Sequence, residues 1–461
     1  MIEEADVVIV GARCAGSPLA IQLAQTGLRV LLVDRDTFPS DTPSTHFFQV
    51  EGLQRFRALG VLDQLKATGA PLIEATDTRI EDVVIRAPWP VRPGDAGGAM
   101  CVRRPLLDAI LVERAADAGA WVATGTRVIG LLGNGRVSGV RVRDASGDET
   151  EVRARLVVGA DGRGSSVARF SGARAYNVTG NERFGFWGYY EGVPLESPVT
   201  AYLHRFGEEF VIAAPVDSGL FMVILLPPLN RLPMFRADSE RAFDDHVAKD
   251  PVIASLIAGR HRAGRLQSTL GFRGYFRESA GPGWALVGDA GHFKDPAPAQ
   301  GISDAVRQAD RLARAIAIGM RSDNVGLDRA TQRWWRWRDD DAFEKYWFAQ
   351  DLGRGGTVPS VFVEIIRRLD QRGDFTRVME VFNHRLRPSA VLTPGRLLSA
   401  AARLAVRRRG ASRRQVARET RELMAREMQR RRLNRRPEYE TELTGESVGG
   451  AQTAEVKEAA S

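Results

Sequence analysis

Two cysteines in 461 residues, Cys14 and Cys101, exclude a disulfide framework and cannot by themselves supply a four-ligand zinc site. Small, buried packing positions are expected for both, and no metal centre. An uninterrupted apolar run long enough to cross a membrane is also missing. The longest, around Phe210 to Leu229, is broken by Pro215, Asp217, Gly219 and Pro227, and reads as two strands and a turn. The opening MIEEADVVIVG enters an apolar strand with no basic leader, so no secretory or transit signal is expected and the cytoplasm is the expected location. Internal repeats and a recognisable nucleic-acid module are lacking too. Acidic residues are scarce in one place: Arg396 to Arg436 holds fifteen arginines against three glutamates, with no lysine or aspartate. The net charge of +8 therefore describes this stretch, and the remainder is neutral to slightly acidic.

What is present is a large globular composition, 44% hydrophobic and 26% charged, with room for two or three domains. Residues 6 to 10 form a short apolar strand, followed by a glycine turn and a helix-like stretch from Pro18 to Thr26. Arg29 to Val33 then supplies a second strand closed by Asp34, which completes a βαβ unit. Leu156 to Val158 and Trp284 to Val287 read as later strands of the same sheet. Period-two segments at Phe184 to Tyr190, Phe210 to Ala214 and Phe221 to Leu225 predict a second, mostly antiparallel layer. Ala299 to Met320 and Asp328 to Gln350 read as helices, with Trp334, Trp335 and Trp337 packing against the body. Val416, Leu423, Met424 and Met428 keep helical spacing inside the arginine-rich stretch.

Three motifs carry the chemistry. GARCAG, Gly11 to Gly16, lies between strand and helix as a dinucleotide-binding turn must. Gly11 permits the tight turn, Gly16 permits close helix-sheet packing, and the helix start offers unpaired amides to a pyrophosphate. Arg13 stands at the usual middle glycine, where it either crowds the phosphates or sets a guanidinium beside them; Ala15 completes the turn. Asp34 follows Gly11 by 23 residues, where a carboxylate can accept from an adenosine ribose, and Arg35 adjoins it. The other two motifs are GADGRGSSVAR, Gly159 to Arg169, and GDAGHFKDPAPAQGISDA, Gly288 to Ala305.

In their order and spacing over Met1 to Met320, these motifs resemble those of the FAD-dependent group A monooxygenase and geranylgeranyl reductase superfamily, which also contains flavin-dependent halogenases. The resemblance implies a fold like that of p-hydroxybenzoate hydroxylase: α/β, with a Rossmann-like FAD-binding domain, an inserted mainly antiparallel β substrate domain and a C-terminal helical extension. Residues 1–75, 98–180 and 268–350 would form the first, 76–97 and 181–267 the second, and 351–437 the basic extension. An acidic tail at 438–461 is expected to be disordered.

The resemblance further assigns Asp289 to the flavin ribityl chain and Pro296 to the loop beside the flavin, with Gln300, Gly301 and Ile302 opening a helix whose dipole faces reduced flavin. Asp161 and Gly162 match the second motif, though Ala168 replaces its first arginine and leaves Arg169. Pro298 stands where the family commonly has glycine. Arg104, four residues before Asp108, resembles the family's R-x-x-L-D flavin-binding arginine, with Arg103 its neighbour. His46 falls where many aromatic hydroxylases have an arginine; it can bond flavin or substrate and move protons near neutral pH, or simply pack. Phe184, Phe186, Trp187, Tyr189, Tyr190 and Tyr202 are candidates for lining an apolar pocket.

The activity implied is that of a monooxygenase with non-covalent FAD and NADPH or NADH as reductant. It would hydroxylate or epoxidise a small apolar or aromatic organic substrate with dioxygen, through a flavin C(4a)-hydroperoxide. A geranylgeranyl reductase-type double-bond reductase is the main alternative. A halogenase is disfavoured because no tryptophan-x-tryptophan-x-isoleucine-proline segment occurs. A non-catalytic flavin-binding protein, gripping a carrier protein or other anionic partner through its basic extension, is the reading from another class.

Overall fold

The computed structural model describes residues 2–407 and 411–440. Its first sheet orders the strands Ala280–Gly281, Trp284–Leu286, Glu149–Gly159, Glu4–Val10, Val30–Val33 and Trp121–Ala123, all paired in parallel except the first. We label Glu4–Val10 β1, Val30–Val33 β2 and Glu149–Gly159 β3. The continuous apolar runs of these strands follow from cover on both faces. Helices α1 (Gly16–Ala24), α2 (Arg104–Asp117) and α3 (Gly301–Gly319) close one face. The antiparallel strands Arg127–Leu132 and Gly139–Arg143, with the helix Ser166–Ser171, close the other.

Register decides where the motifs go. Val33, Val10, Gly159 and Leu286 are successive partners in one row across four parallel strands. The segments that follow them, Asp34, GARCAG, GADG and GD, therefore all emerge at the carboxyl edge of the sheet, the place where open α/β sheets bind ligands.

A second sheet runs Gln267–Thr269, Gly185–Glu191, Leu220–Leu225, Glu209–Pro215, Thr200–Phe206, Ala75–Ile80 and Val83–Pro88. Every pair is antiparallel except Thr200–Phe206 with Ala75–Ile80. Because side chains alternate along a strand, Phe184, Phe186 and Tyr190 pack under the helices from Leu232 to Ile257, while Trp187 and Tyr189 enter the opposite core.

That opposite core is shared with the helices that end the chain: α4 (Asn324–Leu352), α5 (Ser360–Gln371), α6 (Thr376–Phe382), α7 (Pro394–Arg407) and α8 (Ala411–Arg435). The 29-residue α4 links the two bodies, since Leu327 and Trp334 lie in the core of the first sheet and Leu352 in that of the second. Trp334 donates to the Gln308 carbonyl and Trp335 to the Tyr176 hydroxyl, so both pack as expected. On α8 the expected apolar stripe is only half used: Val416 is buried, but Met424 and Met428 are exposed.

Residues 438–440 depart from the disorder expected of the tail. Tyr439 and Glu440 pair with Tyr176 and Ala175, and Asn177 fixes Glu438 through its backbone amide and its side chain. The rest of that tail, 441–461, lies outside the described residues. Among the described residues, no helix is long and apolar enough to cross a membrane.

Candidate functional site

The glycine turn is held from three sides. Gly11 takes a φ of +102° and donates to the Val33 carbonyl; a Cβ there would meet the Ala160 carbonyl carbon at 2.6 Å and the Asp161 amide at 2.8 Å. A Cβ on Gly16 would overlap the carbonyl oxygen of Gly11 itself. Both glycines are thus required by close backbone approach, and the GADG loop rests directly on the turn. Asp34 is buried and accepts from the amides of Ala12 and Asp36 at 2.6 and 2.9 Å. Burial raises its carboxyl above the usual range despite those bonds. The amides of Arg13, Cys14 and Ala15 meet no acceptor among the described residues, which leaves them for an anionic group.

Arg13 does not block the turn. Its guanidinium folds outward onto Asp108 at 2.7 Å, Asp36 at 3.1 Å and Ser40 Oγ at 2.7 Å. Asp108, fully buried on α2, also takes Arg104 Nε at 3.0 Å and the Cys14 thiol at 3.4 Å. Asp108 therefore orients two arginines beside the turn, with Asp36 sharing Arg13. Arg103 is committed elsewhere, bonding Asp217 through its backbone and side chain at 2.6–2.9 Å and lying over the Tyr189 ring. Arg104, through Asp108, lies on the side of the glycine turn, whereas Arg103 lies on the side of Tyr189.

The GD loop meets the same turn: a Cβ on Gly288 would sit 2.9 Å from that of Ala15 and 3.7 Å from that of Ala305. Next to it, the carboxylate of Asp289 accepts no hydrogen bond among the described residues, and burial lifts it to about 6 against the pull of Arg163 and Arg104. A half-buried carboxylate without donors among the described residues fits a partner rich in hydroxyls. Beyond it, α3 opens at Gly301 with no side-chain cap. The amides of Gly301, Ile302 and Ser303 are unpaired among the described residues, and a Cβ on Gly301 would meet nothing within 4 Å. These features together fit an extended dinucleotide: pyrophosphate at the turn, polyol at Asp289, and an electron-rich ring end at α3.

Several expected residues take other work. Asp161 caps the helix Ser166–Ser171, accepting from Ser165, Ser166 and Val167. Gly162 gives that loop its φ of +73°. Arg35 is exposed and reaches only Asp36, at 3.8 Å. Arg169 is exposed over Phe170. Gln300 is wholly engaged by protein, accepting from Lys294 at 2.7 Å and donating to the carbonyls of Val381 and Phe382, so only its backbone faces the α3 opening. Pro296 shapes the loop by accepting from the Ala299 amide at 2.7 Å. The cavity wall itself is made by Ala297, Pro298 and Ala299. Sequence reasoning missed Gln49, whose amide clamps the carbonyls of Pro298 and Ala299 at 3.3 and 2.8 Å while Ser303 donates to it at 2.8 Å. Nothing but its position three residues after His46 marked it.

His46 overturns the expectation of a neutral-pH proton carrier. It is buried in a left-handed conformation, φ +57°, with Nε2 2.6 Å from the Tyr189 hydroxyl and Nδ1 without a partner among the described residues. Burial, reinforced by Arg104 and Arg103, pushes the imidazole down to about 3, against the pull of Asp217. The ring is neutral throughout the working range and serves as a fixed hydrogen-bonding group. The unfolded chain takes up its proton near 6.5, so the stability contributed by His46 is complete above that value and is lost as pH falls toward about 3. His46→Gln is accordingly expected to keep its flavin and the pH-rate profile above pH 6. It should also lose less melting temperature than the parent between pH 6.5 and 4, which a thermal scan across pH measures.

In front of the Ala297–Ala299 wall lies an apolar cavity. The second sheet contributes Thr76, Thr78, Ile80, Tyr202 and Ile212, and the C-terminal helices close it with Phe348, Phe362, Phe375 and Phe382. Of the six aromatics expected to line an apolar pocket, Tyr202 is the one that lines this cavity. The lining holds no carboxyl, imidazole, thiol or ammonium group, and burial raises the Tyr202 phenol well above its ordinary range.

Comparison with known proteins agrees with this geometry. A profile of the family described as FAD binding domain matches residues 4–334. The chain is 28% identical over 329 residues to a 6-methylpretetramide 4-monooxygenase of Streptomyces rimosus, covering 68% of this chain and 76% of that one. It is 38% identical over 173 residues to a digeranylgeranylglycerophospholipid reductase of Methanothermobacter thermautotrophicus, covering 36% and 42%. Among solved structures it is similar to the chondrochloren halogenase CndH, described as myxobacterial, with a TM-score of 0.69 at 22% identity, covering 85% of this chain and 99% of that one; this likeness is one of fold.

Proposed function

The chain belongs to the FAD binding domain family and is an FAD-dependent oxidoreductase, and from that premise we propose that it is a monooxygenase acting on a small apolar or aromatic substrate. The observation that carries the reading is the cavity beside Ala297–Ala299, which is apolar and has no titratable acid or base apart from a phenol held weakly acidic. Saturating a double bond requires a proton for the second carbon, and this lining is poor in donors. Oxygen transfer needs little from the wall except dryness and shape.

Bound FAD supplies two-electron reduction by NADPH or NADH and the activation of dioxygen. The chain's own residues do the rest. The Gly11–Gly16 turn and the start of α1 hold the pyrophosphate, with Ala15 backing the turn and the guanidiniums of Arg13 and Arg104 fixed beside it by Asp108. Asp34 offers its remaining lone pairs to the adenosine ribose, Asp289 accepts from the ribityl hydroxyls, and the amides of Gly301 and Ile302 face the pyrimidine end of the ring. Asp161, Gly162 and the Pro296 turn keep the surrounding loops in place. Gln49 pins the Pro298–Ala299 loop, which would lie between the bound ring and the substrate.

The test is turnover with and without air, using a panel of small apolar and aromatic compounds and excess NADPH. Product is expected only in air, with substrate-stimulated dioxygen uptake. Equal product under argon would establish the reductase alternative instead.

A further inference from the structure

We propose that Lys294 is a positioning residue that sets the reduction potential of the bound flavin, by neutralising the carboxylate of Asp304 in the first turn of α3. The inference deepens the proposed function and rests on its placement of the ring in front of Gly301 and Ile302, though not on what the reduced flavin does next.

Asp304 is buried one turn into α3, where a carboxylate ordinarily complements the positive end of the helix. Here it faces a competitor for that end. A hydride donor brings the ring two electrons and one proton, which leaves it with one negative charge, and a carboxylate behind the same helix start opposes that charge. The field of Asp304 reaches the nucleotide edge, since the Asp289 carboxyl is raised first by burial and also by Asp304.

Lys294 meets this charge from the loop before α3. Its ammonium is buried, 2.6 Å from Asp304 Oδ2, and donates to Gln300 Oε1 at 2.7 Å. Gln300 immediately precedes α3 and is fixed in turn by the carbonyls of Val381 and Phe382. The other ions of this core are directed elsewhere: Arg307 holds both oxygens of Asp341 at 3.1 Å, Lys345 joins the same carboxylate at 3.0 Å, and Arg307 stands 3.7 Å from Asp304. His384 Nδ1 lies 3.4 Å from Asp304, but burial pushes its imidazole and that of His292 far below their ordinary range, so neither brings a charge. Lys294 is thus the cation in direct contact with Asp304 among the described residues. Burial weakens the ammonium's hold on its proton and Asp304 opposes that loss, so each charge depends on the other.

The FAD-loaded full chain is reduced slowly under argon at pH 6.5, without substrate, beside a dye of known potential. Lys294→Gln keeps a donor for Gln300 and removes the charge. At a fixed potential it should shift the oxidised-to-reduced flavin ratio at least tenfold toward oxidised, which is about 30 mV for a two-electron couple. Lys294→Gln with Asp304→Asn removes both charges and should bring the ratio back to within about threefold of the parent. If Lys294→Gln does not fold around an unpaired Asp304, Asp304→Asn alone decides, with a shift toward reduced expected. An unmoved ratio in Lys294→Gln, a double variant displaced as far as the single one, or no shift toward reduced in Asp304→Asn overturns the proposal; a merely structural role for Lys294 gives the second of these. An unmoved ratio while Gly301→Ala still weakens FAD sinks this inference and leaves the ring placement standing. Since the potential is read without turnover, a product lacking the oxygen atom sinks the monooxygenase reading and leaves this result intact.

Discussion

Asp289→Ala is expected to yield a folded protein that has lost most of its FAD, with affinity lowered about ten- to a hundredfold. The carboxylate is half-buried near Arg104 and Arg163 with no donor among the described residues, and its protonation midpoint is raised to about 6. Hydrogen bonds to a charged group contribute about 1.5–3 kcal/mol, which converts to that range of affinity. The sign for the protein without flavin is opposite. A carboxylate partly withdrawn from water and lacking donors among the described residues opposes folding once ionised, so the substitution should raise the melting temperature of the flavin-free chain above pH 6. The pH dependence follows by linkage. Between 3.8 and about 6 the folded, flavin-free protein keeps a proton that the unfolded chain releases; the stability this gives is present at low pH and is lost as pH rises through that window. Hydroxyl donors favour the ionised form, so FAD should bind more weakly as pH falls below 6. In Asp289→Ala that dependence should disappear. Flavin content, affinity across pH and thermal scans check the three statements, and undiminished affinity would remove Asp289 from the site.

The second large effect separates two glycines. At Gly16 even one methyl group overlaps the carbonyl of Gly11, a backbone atom fixed by the turn and by the bond from Gly11 to Val33. Gly16→Ala should therefore displace the turn, cost upwards of about 1–3 kcal/mol of stability and abolish flavin retention. At Gly301 a methyl group meets no protein atom and replaces the residue least suited to a helix apart from proline. Gly301→Ala should leave the flavin-free protein as stable or more so, yet weaken FAD, because the free space in front of α3 is where the ring is proposed to lie. Absorbance ratio and melting temperature distinguish the cases; a Gly301→Ala protein binding FAD as the parent does would place the ring elsewhere.

The nucleotide edge was legible in the sequence because strands buried on both faces write themselves as unbroken apolar runs. The turns after them carry glycines that backbone contact demands at Gly11 and Gly16. The cavity was less legible. Its aromatic candidates were pooled across both faces of one strand, although alternation sends Phe184, Phe186 and Tyr190 away from Trp187 and Tyr189. Phe348, Phe362 and Phe382 close it from helices remote in sequence, with Phe375 at the start of one of them, where an aromatic at helical spacing looks like any core residue. His46 was expected beside the flavin; its hydrogen bond to Tyr189 and its depressed basicity depend on burial, which spacing does not encode. The two-residue strand at Tyr439 lies within an acidic run and forms because Asn177 supplies a donor and acceptor to Glu438.

The central claim, oxygen transfer in a dry apolar cavity, is tested most directly by the mass of product formed in labelled dioxygen. The same compound panel is supplied with NADPH and product is analysed by mass spectrometry. One labelled oxygen atom in the product, with the other in water, is the predicted result. A product heavier only by two hydrogen atoms, unlabelled and formed at the same rate, would contradict it.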